Sequence, residues 1–125
     1  MLTSVHAFSG LGVDDLEAAK QFYGGKLGLT VEENPAGLTL QLPGGTLFVY
    51  QSPAFTPAGY TVLNFEVEDI DAAADELARA GIELERYEGM PHDDNGVVRG
   101  RSTNQGPDIG WFRDPSGNIL SILQS

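Results

Sequence analysis

Val13-Asp14-Asp15-Leu16-Glu17-Ala18-Ala19 returns 54 residues further on as Val67-Glu68-Asp69-Ile70-Asp71-Ala72-Ala73, with four identities and three conservative exchanges. A repeat of this kind implies two related modules and lets each half be checked against the other. Around each copy the hydrophobic period changes from two to about 3.6, as where a strand runs into a helix. Val5, Ala7, Ser9 and Leu11 alternate with His6, Phe8 and Gly10, which predicts a first strand from about Thr3 to Ser9. In the second half Thr61, Leu63, Phe65 and Val67 alternate with Tyr60, Val62, Asn64 and Glu66.

Asp14 stands three residues before Glu17, the spacing of a helix N-cap whose acidic charge also suits the positive end of the helix dipole. Helix 1 is expected to bury Leu16, Ala19, Phe22 and Tyr23 and to stop at Gly24-Gly25; helix 2 is expected from about Ile70 to Ala80, stopping at Gly81. β-Prone runs follow at Leu29–Glu33, Gly37–Leu42 and Thr46–Gln51, then at Ile82–Tyr87, Ile109–Arg113 and Asn118–Gln124. Each half therefore reads β-α-β-β-β, an α+β arrangement, with module one at about 1–55 and module two at about 56–125 of a single domain. Asn34-Pro35-Ala36-Gly37, Pro43-Gly44-Gly45 and Asp114-Pro115-Ser116-Gly117-Asn118 are turn sequences. The module ends match as well, Leu47–Ser52 aligning with Leu120–Ser125 at an offset of 73. Glu88 to Asp108 is a long Gly- and Pro-containing segment, expected to be irregular and to serve as a lid or rim.

A chain of 125 residues can bury a core without staples, and with no cysteine it has no disulfide, thiolate metal site or cysteine nucleophile. A reducing cytoplasm is the simplest address for such a chain. The start Met1-Leu2-Thr3-Ser4 lacks the pattern of a signal peptide, and no apolar run approaches the roughly 20 residues of a membrane span. Seven Lys and Arg against 18 Asp and Glu give a net charge of −11. That balance repels phosphate backbones and anionic lipid, so neither nucleic acid nor membrane is an expected partner. Its ordinary consequence is solubility; the sharper one is attraction of a cationic small molecule.

The paired modules, the run from Val13-Asp14-Asp15-Leu16 through Phe22-Tyr23 to Leu27-Gly28-Leu29, and the phrase Phe112-Arg113-Asp114-Pro115-Ser116-Gly117-Asn118 together resemble the vicinal oxygen chelate superfamily. That superfamily includes glyoxalase I, extradiol dioxygenases and bleomycin resistance proteins. The resemblance covers almost the whole chain and implies a curved mixed sheet built from the two modules, commonly in a two-fold dimer. Many members hold a divalent metal in a cup formed by both modules, through His or Glu at four positions. Carried onto this sequence, those positions are Phe8, Val62, Phe48 and Ser121. Two phenyl rings and an isopropyl group offer no lone pairs, and a neutral serine hydroxyl is a weak ligand. The metal-dependent reading therefore suffers on chemical grounds. His6 lies two residues from Phe8, about 7 Å along a strand, but its counterpart in module two is Tyr60.

Strand alternation places His6, Phe8, Gly10, Phe48, Tyr50, Tyr60, Val62, Asn64, Ile119, Ser121 and Leu123 on the face away from the helices, with Trp111 added because Phe112 suits the core better. This is the composition of an aromatic small-molecule pocket, the competing reading being filler for a collapsed cavity or a subunit seam. Arg99 and Arg101 could close such a pocket over a ligand, although loop arginines are more often solvated. His6 is a weak candidate for a general base if Tyr50, Tyr60 or Asn64 orients it, although a hydrogen-bonded structural role is commoner for such a histidine. The leading expectation is a metal-free binding protein of the bleomycin-resistance kind that takes a small cationic or aromatic organic molecule. The alternative is a glyoxalase-like lyase or isomerase, or a dioxygenase, using a displaced divalent metal or His6.

Overall fold

The computed structural model describes all 125 residues, which divide into two units, Met1–Pro57 and Ala58–Ser125. In the first, β1 (Ser9–Val13) leads through helix α1 (Leu16–Lys20) to β2 (Thr30–Asn34), β3 (Gly37–Leu42) and β4 (Gly45–Gln51). These form a four-stranded sheet in the order β1-β4-β3-β2, with β1 parallel to β4 and the other pairs antiparallel. The second unit repeats the plan with β5 (Thr61–Glu66), α2 (Ile70–Arg79), β6 (Val98–Arg99), β7 (Asp108–Arg113) and β8 (Ile119–Gln124), ordered β5-β8-β7-β6. The expected β-α-β-β-β order is present in both.

The two offsets read from the sequence meet in the strand registers. Ser9 pairs with Leu47 and Gly10 with Phe48 in the first sheet; Leu63 pairs with Leu120 and Asn64 with Ser121 in the second. Adding 54 to one member of a first-sheet pair and 73 to the other gives the second-sheet pair. Helix α1 packs on β3 and β4, and α2 on β7 and β8. The helix-side faces supply the two cores: Leu11, Val13, Leu38, Leu40, Leu47 and Val49 in one unit, Phe112, Leu120 and Ile122 in the other.

The caps fall on the second acid of each copy rather than the first. Asp15 accepts a hydrogen bond from the Ala18 amide, and Asp69 accepts from those of Asp71 and Ala72. The Ile70 amide also donates to Gln124 Oε1 at 3.0 Å, fastening the end of β8 to the start of α2. The turns behave as their sequences suggest: Asn34 Oδ1 accepts from the Ala36 and Gly37 amides, and buried Asp114 accepts from Ser116 and Asn118.

Four expectations are corrected. Strand β1 begins at Ser9, where Thr3 to Ser9 was expected, and residues 1–10 are all exposed. Its alternation keeps the predicted phase, but the buried residues are Leu11 and Val13. The partner strand β4 starts only at Gly45, after the Pro43-Gly44 turn, so upstream residues find little to pair with. Helix 1 runs through Gly24-Gly25 as a π-helical turn, Gln21–Lys26, closed by Leu27 N–H to the Phe22 carbonyl. Gly24 serves close approach, since a Cβ there would lie 3.2 Å from Val31, and the left-handed residue that ends the turn is Gly28.

Ile82–Tyr87 forms no strand; one ladder bond, from Glu85 N to Trp111 O, reaches β7. The fourth strand of the second sheet lies instead inside the segment expected to be irregular, as β6. Arg99 secures it, bonding Asp93 at 2.8 Å and pairing with Asp71 at the start of α2, with buried Asp108 at 3.6 Å. Arg86 adds hydrogen bonds to the Asp93 and Asp94 carbonyls. The segment is thus a bonded edge of the sheet.

The hydrogen bonds from Arg99 hold Asp71 below the usual carboxylate range against a slight opposing effect of burial. For Asp93 burial works upward but is outweighed by the Val97 amide and Arg99, so its carboxyl is also lowered. Arg99 is correspondingly raised, first by Asp71 and then by Asp93. Because both acids are depressed in the folded state, their contribution is complete above the ordinary value of 3.8 and is lost as pH falls through the depressed values. Arg99→Gln should cost on the order of 1 kcal/mol, allowing for solvent screening of a half-exposed cluster. Denaturant melts should show that gap constant from pH 7 to 5 and closing below 3.8; a gap that widens in acid contradicts the assignment. Asp69→Ala should cost about 1 kcal/mol through the lost cap. Gly37→Ala should cost about 1–3 kcal/mol, because a Cβ there collides with the Val49 carbonyl oxygen.

Candidate functional site

With the register fixed, alternate residues of each sheet point away from the helix and form a row across neighbouring strands. In the first unit the row reads Gly10, Phe48, Thr39, Glu32. In the second it reads Asn64, Ser121, Trp111. Corresponding positions in the two rows carry different chemistry.

The first-unit face is aromatic. Phe48 and Tyr50, two residues apart on β4, stack with ring centroids 6.0 Å apart and planes at 14°. Glycines opposite them leave room: a Cβ on Gly10 would lie 3.6 Å from the Tyr50 ring, and one on Gly12 would lie 3.5 Å from Phe55 and 3.8 Å from Tyr50. Tyr50 is 41% exposed and Phe48 partly so. His6 and Phe8 precede the strand and are exposed; their rings stack at 5.8 Å, and no hydrogen bond orients the imidazole. Gly12 and Phe55 were absent from the sequence-derived set. Gly10-x-Gly12 within a strand pattern was a signal of close approach, whereas Phe55 lies in a segment without periodicity.

The second-unit face is polar beside one large ring. Ser121, fully buried, donates from Oγ to Asn64 Oδ1. Val62 sits at a register irregularity in β5, and Tyr60, 70% exposed, lies just before that strand. Trp111 is on the open face, as inferred, and Phe112 is 1% exposed in the core. Trp111 is flanked edge-on by Tyr87 at 5.6 Å and His92 at 6.2 Å, neither of which the sequence reading placed there. The partial burial of His92 comes from folding the 87–96 segment over Trp111, which no local pattern reveals. The Tyr87 hydroxyl is buried without a hydrogen-bond partner.

The arginines have partners within their own unit. Arg101 lies 3.7 Å from Asp108 and its amide donates to the same carboxylate, while Arg99 is held by three acids. A groove of about 350 Å³ lies beside α2, lined by Asp75, Ile82, Glu83, Leu84, Arg86 and Asp94 among others. None of these residues belongs to the open-face rows.

The donor set does not fit a divalent metal. Phe8, Phe48 and Val62 have no donor atom, the Ser121 hydroxyl is engaged by Asn64, and no three His, Cys, Asp or Glu side chains are grouped to hold an ion. No helix is long and apolar enough to cross a membrane.

No match was found among curated proteins. Among solved structures, a glyoxalase family protein from Enterococcus faecalis is 25% identical with a TM-score of 0.70, the match covering 98% of this chain and 99% of that one. The fosfomycin resistance protein FosX from Listeria monocytogenes shares the fold at 14% identity and a TM-score of 0.70, covering 98% and 93%. Lactoylglutathione lyase from Agrobacterium tumefaciens does so at 20% identity and 0.65, covering 98% and 94%. The family model described as Glyoxalase/Bleomycin resistance protein/Dioxygenase superfamily matches residues 4–122. With that match spanning nearly the whole chain, and with the duplicated β-α-β-β-β units on which the fold is built, the protein belongs to the glyoxalase/bleomycin resistance protein/dioxygenase superfamily.

Proposed function

We propose that this protein binds a small organic molecule without a catalytic metal, in the manner of a bleomycin resistance protein, by stacking it on Phe48 and Tyr50. The observation that carries this reading is the near-parallel Phe48–Tyr50 pair beside Gly10 and Gly12. A flat ring can lie on such a surface beside Gly10, where the opposite strand offers no side chain, with the Phe55 ring packed at Gly12 as its border. The net charge of −11 favours a cation over an anion, and cation–π attraction adds about 1–2 kcal/mol where water is excluded. His6 and Phe8 form a second, exposed stack that can extend the same surface. Symmetric dimers are the commonest oligomers, and a homodimer is the expected assembly; mass measured in solution, with Phe8→Asp as the perturbing variant, checks it.

A panel of flat organic cations with neutral and anionic isosteres tests the binding reading. At least one cation should raise the melting temperature more than its isosteres do. Phe48→Ala and Tyr50→Ala should each weaken its binding roughly 5- to 30-fold. Chelator should leave the affinity unchanged. Stoichiometric nickel, zinc, manganese or iron in protein purified without chelator would instead favour a glyoxalase-like lyase or isomerase, or a dioxygenase. Failure of the whole panel to shift the melting temperature would remove the proposal.

A further inference from the structure

The geometry points to His92 as a positioning residue for Trp111, held in its neutral form with the proton on Nδ1, so that acid releases Tyr87 from the open face of the second sheet. The assignment follows from its two ring contacts. The Tyr87 amide donates to Nε2 at 2.9 Å, so Nε2 must be an unprotonated acceptor. Nδ1 lies 2.7 Å from the Gly96 carbonyl oxygen, which accepts only, so Nδ1 carries the proton. One neutral tautomer satisfies both contacts. Protonation places an Nε2–H against the Tyr87 N–H, two donors facing each other, and one group has to move.

What moves is set by the surroundings. The His92 amide is tied to the Met90 carbonyl and the residue bridges to Val98, while the Asp93 carboxylate takes the Asn95 and Val97 amides and Arg99. The backbone of His92 and the residues after it are therefore fastened, whereas the Tyr87 carbonyl is held by one longer bond, from the Met90 amide at 3.2 Å, and the Tyr87 side yields. Tyr87 is already held at a cost, because its hydroxyl is buried without a partner, and moving outward hydrates it. Of the charged groups in this part of the unit, Arg86 is taken up by the Asp93 and Asp94 carbonyls, and Arg99 on β6 by Asp93 and by Asp108 on β7. None bonds to the ring, so none supplies Nε2–H with an acceptor. Tyr87 and His92 are the edge-on neighbours of Trp111, so the departure of Tyr87 uncovers one side of the indole. Any role of Trp111 in ligand binding rests on the proposed function; the release itself does not.

Trp111 is the only tryptophan and His92 one of two histidines, so the ligand-free protein reports on itself. Tryptophan emission followed from pH 8 to 5 should show a one-proton transition with a red shift. The transition should persist in His6→Gln and vanish in His92→Gln, whose amide can both accept and donate. An imidazolium can also quench a nearby indole without movement, so the Tyr87 amide is read in parallel by hydrogen exchange. Its protection factor should fall at least tenfold across the transition in wild type and stay constant in His92→Gln. The ¹⁵N spectrum of the wild-type imidazole at pH 8 should show the Nδ1–H tautomer, a test that needs no variant. An Nε2–H tautomer, a transition surviving in His92→Gln, no transition at all, or an emission change with unaltered Tyr87 protection would each overturn the inference.

Discussion

The parallel pairing of β1 with β4, repeated as β5 with β8, is the constraint on which the rest of each unit depends. Parallel neighbours cannot be joined by a tight turn, so the chain between them must cross over. Here it uses that crossover for the helix and the two remaining strands. Once Ser9 faces Leu47 and Leu63 faces Leu120, the period of two assigns every strand residue to the helix or to the open face. A slip of one residue would carry Leu11, Val13, Leu47 and Val49 out of the core and put Phe48 and Tyr50 into it. Burial of the first set therefore fixes the exposure of the second.

Much of this was legible because it depends on local pattern and duplication. The 54- and 73-residue offsets relate the register of one unit to that of the other, and the turn residues at Asn34 and Asp114 specified their own hydrogen bonds. What failed depended on partners distant in sequence. Val5 and Ala7 alternate as well as Leu11 and Val13 do, but the register would set Val5 opposite Pro43, in the turn before β4, and Ala7 opposite Gly45, the first residue of that strand, which has no side chain to pack against. Gly24 and Gly25 are good helix stops in isolation, yet Phe22 and Tyr23 are buried, and the close approach of Val31 makes Gly24 useful inside the turn. Ile82–Tyr87 is β-prone, but β6 occupies the other part of β7's free edge and is secured by Arg99 to three acids that no local window connects.

The acidic excess has a partly structural use. Asp15 and Asp69 cap helices, Asp71, Asp93 and Asp108 surround Arg99, Glu85 pairs with Arg113, and Glu33 with Lys20. Those pairings engage Arg99, Arg101, Arg113 and Lys20, four of the chain's seven basic side chains. An anionic ligand would have to compete with carboxylates already in place for these groups.

Duplication preserved the register and let the open faces diverge. At the position where the first unit has Gly10 beside Phe48, the second has Asn64 beside Ser121; where the first has Thr39, the second has Trp111. Aromatic bulk thus sits on β4 in one unit and is displaced by one strand, to β7, in the other. Each arrangement leaves small or polar groups beside its large ring, so the ring is presented rather than buried by its row-mates. At corresponding places the first row carries a phenyl ring, which has no donor atom, and the second a hydrogen-bonded amide and hydroxyl. The Phe48–Tyr50 pair lies beside Gly10 with Phe55 packed at Gly12, whereas Trp111 is edged by Tyr87 and His92.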